Sequence, residues 1–89
     1  MNTVFLLMAQ YNAQAVLPVE VVVKDYFPHL SPANFLRKVL MGEINIPVIR
    51  IEKNSQKTAK GVHLQDLAIY LDVRREAAIK EANQLNCRR

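Results

Sequence analysis

The spacing of apolar positions along this 89-residue chain changes several times, and each spacing predicts a different element. The first run, Val4-Phe5-Leu6-Leu7-Met8-Ala9, is continuously apolar; it suits a buried strand or a short core helix, and periodicity does not separate the two. Asn12-Ala13-Gln14 reads as a connection. Pro18 then opens a segment in which Val19, Val22, Val23, Tyr26 and Phe27 recur at i, i+3, i+4 spacing, which predicts a helix over 18–27. Val21-Val22-Val23 is β-branched and would favour a strand. Strict alternation, however, would bury Glu20 or set Tyr26 and Phe27 on opposite faces. Pro28 stops this helix, and the next begins almost at once. Ser31 is suited to accept from free first-turn amides, Pro32 fits the first helical position, and Gly42 can leave through positive φ. At 100° per residue Phe35, Leu36, Val39 and Leu40 fall on one side of this helix, and Asn34, Arg37, Lys38 and Met41 on the other.

Further on, Ile46-Pro47-Val48-Ile49-Arg50-Ile51-Glu52 reads as a strand beginning beside its proline, and Val62 can start a short returning strand. Between them the polar tip from Lys53 to Gly61 carries Lys53, Lys57 and Lys60 with Gln56 and no carboxylate. From Leu64 onward Leu67, Ala68, Leu71, Ala78, Ala82 and Leu85 recur at helical spacing, with Asp66 in the first turn and Glu76 four before Lys80. Such a helix, run to residue 85, is about 33 Å long. That exceeds what so small a domain can cover, so its distal end should project.

Two short helices with a brief connection, then a basic-tipped hairpin, predict an α+β fold. It is a small winged helix-turn-helix domain occupying 1–89, with an N-terminal apolar strand or helix and a long C-terminal helix. The helix-turn-helix takes 18–42, the wing hairpin 46–63 and the C-terminal helix 64–85. In that arrangement the second helix enters the major groove and the first braces it. The wing's lysines and amides neutralise phosphates or reach the minor groove. Taken singly, each feature also has a plainer reading: a solvated basic helix face, a solvated loop, a frayed tail.

Charge supports the combination. The net charge is +4 with a pI near 9.5, which favours a polyanionic partner. Residues 31–63 hold six basic and two acidic groups, net +4, whereas residues 1–30 are net −1 and 64–89 net +1. A chain of this length buries only about 60–65% of its unfolded surface, too little for a deep enzymatic cleft. Gly42 and Gly61 are the only glycines, which excludes a P-loop or a dinucleotide-binding turn. Cys87 is the only cysteine; it can form no internal disulfide and fits a reducing cytoplasm. His29 and His63 have no ligand-spaced neighbours and read as a turn residue and an N-terminal helix flank. His63 with Asp66 makes an imperfect capping box. No enzyme, metal, cofactor, small-molecule substrate or membrane partner is expected; the first apolar run is far below the roughly 20 residues of a membrane span.

The succession of basic helix, Gly42-Glu43-Ile44, Pro47-Val48-Ile49-Arg50-Ile51, polar tip and Leu64-Gln65-Asp66-Leu67-Ala68-Ile69-Tyr70-Leu71 resembles excisionase and MerR-type winged helix-turn-helix domains. More specifically the chain resembles the pyocin activator (PrtN) family. The residues that carry this are Phe5-Leu6-Leu7-Met8-Ala9-Gln10-Tyr11, Asp25-Tyr26-Phe27, Ser55-Gln56-Lys57 through Lys60-Gly61-Val62-His63-Leu64, and Arg74-Arg75-Glu76-Ala77-Ala78. The resemblance implies a sequence-specific DNA-binding activator of bacteriocin or prophage genes, cytoplasmic and associated with the chromosome. The residues themselves place Asn34, Arg37, Lys38 and Met41 on DNA from the helix, and Arg50, Lys53, Gln56, Lys57 and Lys60 from the wing. Ala78, Ile79, Ala82 and Leu85 form the expected interface of a homo-oligomer, and RNA polymerase is a further expected partner. Two other functions fit the sequence: an excisionase-like architectural DNA-binding protein, and a prophage protein that inhibits a host protein.

Overall fold

The computed structural model describes residues 2–52 and 59–87. The open question at the N-terminus resolves as a helix: α1 spans Thr3–Gln10, and the Asn2 side chain accepts from the Val4 amide at 2.8 Å. Its buried residue is Leu7, and Thr3 Oγ1 donates to Asp72 on the last helix at 2.6 Å. A strand not expected from the sequence follows, β1 at Val16–Pro18. Proline lacks a ladder donor, and Pro18 stands here on an edge strand, where that lack is tolerated. Helix α2, Val19–Tyr26, starts from Pro18 with no side-chain cap and buries Val19, Val22 and Val23. The three successive valines are thus helical because burial of one face outweighs their preference for strands.

Helix α3, Pro32–Leu40, matches the expected one closely. The extended segment after it pairs over a shorter span than expected: β2 is only Ile49–Arg50, while Ile44 and Ile46 are buried without ladder pairing. Strand β3, Lys60–His63, runs into α4, Leu64–Cys87. The sheet order is β1-β3-β2, with both pairs antiparallel and β3 central. Gly61 makes this possible. A Cβ there would lie 2.6 Å from Val16 Cγ1 and 2.9 Å from the Leu17 carbonyl oxygen.

One core joins the four helices with β1 and β3, with Leu17, Val22, Phe35, Val62 and Leu67 fully buried. Phe27 is its pivot: its ring lies 5.1 Å from Phe35 of α3 and 5.9 Å from Tyr70 of α4. These tilted aromatic contacts fix how α3 is mounted on α2 and α4. Helix α4 leaves the core after Leu71, and residues 72–86 are exposed. The 24 residues of α4 span about 36 Å at 1.5 Å per residue, within a molecule measuring 54 × 29 × 20 Å. His63 caps this helix through Nδ1, which accepts from the Gln65 amide at 3.0 Å.

Candidate nucleic-acid interface

Local chemistry holds α3 at both ends. Ser31 Oγ accepts from the Asn34 amide at 3.2 Å, and Pro32 occupies the first turn. At the other end the Gly42 amide donates to the Val39 carbonyl, and the Glu43 amide to the Lys38 carbonyl at 2.9 Å. Gly42 adopts φ +77°. This is a Schellman cap, in which the residue after the glycine commonly touches the residue five before it through apolar atoms. Here that pair is Glu43 and Lys38, and it is ionic, with Nζ to Oε2 at 3.7 Å.

The outward face therefore differs from the expected one in two members. Lys38 is half-buried and turned toward Glu43 rather than standing clear on the basic side. Leu40, assigned to the apolar side, is 85% exposed. Phe35 and Leu40 are five residues apart, about 140° around a helix, and the core side is already closed by Ile44 and Ile46. The exposed arc of α3 is thus Ala33, Asn34, Arg37, Leu40 and Met41. Leu40 is the residue the sequence reading missed on this arc; its angle from Phe35 was the available signal.

The sheet brings further candidates to the same place. Arg50 and Lys60 are directly opposed across the β2–β3 pair, and both line one groove with Leu36, Val39, Leu40 and Val48. Like charges so opposed repel and weaken a strand pair. Two cations are therefore held together, beside the exposed end of α3, against the interest of the sheet. The hairpin continues past β2 through the Ile51 amide, which donates to the Ala59 carbonyl at 3.1 Å. Lys53, Gln56 and Lys57 lie outside the described residues. Ala78, Ile79, Ala82 and Leu85 stand away from this region on the exposed part of α4. At 100° per residue they continue the stripe of Leu64, Leu67, Ala68 and Leu71 that the core covers.

Among the described residues no group of three or more His, Cys, Asp or Glu is placed to hold a metal ion, and no helix is long and apolar enough to cross a membrane. A braced pair of helices followed by an antiparallel hairpin, with cations at the base of the hairpin and the outer face of the second helix free, defines a small winged helix-turn-helix-like domain. The chain belongs to the pyocin activator family: the family model described as pyocin activator protein PrtN matches residues 3–78. It is accordingly a regulatory protein of the activator type. No curated protein and no solved structure matched it.

Proposed function

We propose that this protein binds duplex DNA sequence-specifically and, from that position, activates transcription of pyocin-like bacteriocin or prophage genes in the cytoplasm. Helix α3 lies in the major groove, where Asn34 and Arg37 contact base edges. Arg50 and Lys60 hold the flanking phosphates, and Lys53, Gln56 and Lys57 extend that contact along the backbone. The observation that carries this reading is the directly opposed pair Arg50 and Lys60 beside the outer arc of α3. A polyanion in that groove turns their mutual repulsion into attraction. Lys38 contributes at most one phosphate contact, since its ammonium already faces Glu43. The uncovered α4 stripe at Ala78, Ile79, Ala82 and Leu85 joins copies of the chain, so that several modules act together on one promoter with RNA polymerase as a further partner.

Footprinting and binding titrations on promoter fragments test the reading. Arg37→Ala is expected to flatten discrimination between cognate and scrambled duplexes by about 1–3 kcal/mol. Lys60→Ala should weaken all duplexes alike and reduce the salt slope by about one unit. A reporter driven by the footprinted promoter distinguishes activation from bending alone. Unchanged specificity in folded Arg37→Ala removes α3 from the groove.

A further inference from the structure

The outer arc of α3 carries few hydrogen-bonding groups for a helix that reads bases: Asn34 and Arg37, with Lys38 turned aside. What it offers instead is apolar. Leu40 is 85% and Met41 68% exposed, they are adjacent, and Leu40 borders the groove that Arg50 and Lys60 also line. Resting on the DNA-binding reading above, we propose that Leu40 and Met41 read thymine C5-methyl groups in the major groove, making recognition depend on methyls as well as on hydrogen bonds.

The chemistry of the rim decides the occupant. An apolar surface bordered by Arg37, Arg50 and Lys60 suits a partner that presents negative charge and apolar groups within a few ångströms of each other. The major groove does this, with phosphates along its edges and the thymine methyl projecting from its floor. A second copy of the chain fits poorly: a twofold contact through this face brings Arg37, Arg50 and Lys60 toward their own counterparts. Leu40 supports no element of the fold in this position, and retaining a leucine there costs solubility without adding to the core.

The test uses the full chain and duplexes that it enriches from a random 20-base-pair pool, resynthesised with deoxyuridine replacing thymidine one position at a time. That exchange deletes a single methyl and leaves every hydrogen-bonding group in place. At one or more positions the parent should bind the deoxyuridine duplex about fourfold more weakly, the value expected for one buried carbon group. In Leu40→Ala combined with Met41→Ala the two duplexes should bind equally, while the Arg37-dependent preference persists. Equal binding by the parent at every position, or an undiminished loss in the double variant, overturns the methyl reading and leaves DNA binding standing. Failure of the parent to enrich any duplex overturns both. A change in sedimentation on substituting Leu40, with no response to deoxyuridine, assigns the face to protein contact and also overturns it.

Discussion

Helices α2 and α3 are nearly equal in length and opposite in how they are held. Val19–Tyr26 begins without a side-chain cap, contains three successive β-branched residues, and is secured by burying Val19, Val22 and Val23. Pro32–Leu40 buries Phe35 alone, yet has a serine cap, an N-terminal proline and a complete Schellman closure. Where packing fastens a helix, local signals become dispensable. Where less of a helix is covered, with Phe35 fully buried and Leu36 and Val39 only partly so, caps supplement packing. The outer arc of α3 is available to a partner because its conformation does not depend on covering it.

The contrast breaks most severely at the anchor. Phe35→Ala removes the one fully buried side chain of α3 and should cost about 3–5 kcal/mol, most of the stability of a domain this small. Loss of the cooperative thermal transition checks it. The counterpart in α2 is Val22→Thr, which sets a hydroxyl among the apolar side chains of a fully buried site. A loss of about 1–3 kcal/mol is expected in denaturant titrations. Ser31→Ala should cost about 1 kcal/mol. If it costs nothing, α3 is held by packing after all.

A smaller effect is confined to alkaline solution. Tyr11, half-buried after α1, donates to Asp25 of α2 at 2.5 Å and accepts from Gln10, which in turn accepts from Tyr26. Burial first, and then the hydrogen bond to Asp25, raise the Tyr11 phenol above its ordinary value of 10.0. The folded state therefore favours the protonated phenol. Its stabilisation is complete below about pH 10 and is lost as pH rises beyond it. Tyr11→Phe should flatten that alkaline decline in unfolding curves. Smallest of all, Leu40→Ala should shift stability by no more than about 0.5 kcal/mol, in spite of its position one turn from the core.

Much of this was legible in residue type and spacing. Ser31, Pro32 and Gly42 marked the ends of α3 because caps are local chemistry, and the stripe from Leu64 to Leu71 marked α4 because a long helix repeats its signal. Strand β1 was not legible: three residues with one fully buried side chain, Leu17, offer no alternation to count. Its existence depends on β3, which is far away in sequence. The N-terminal run was ambiguous for a related reason, since only Leu7 of α1 is buried while Phe5 and Leu6 are exposed. A uniformly apolar segment does not announce which side will be covered. Of the candidate interface, the convergence of Arg50 and Lys60 required the register between strands, which no single stretch of sequence specifies.

The central position of β3 also sets a timetable. Val16, Leu17 and Pro18 find their ladder partners only at His63, Val62 and Gly61, a separation of 43 positions for the last pair. A chain growing at roughly 5–20 residues per second finishes α3 on the order of seconds before the strand that completes the sheet beneath it emerges. Until then the two short helices have only each other and part of a core. Contacts so distant along the chain are slow to close even in the free protein. The newborn molecule therefore has the whole of the α3 sequence before it has a sheet to pack beneath it, and β1 gains its ladder partners only when Gly61, Val62 and His63 arrive.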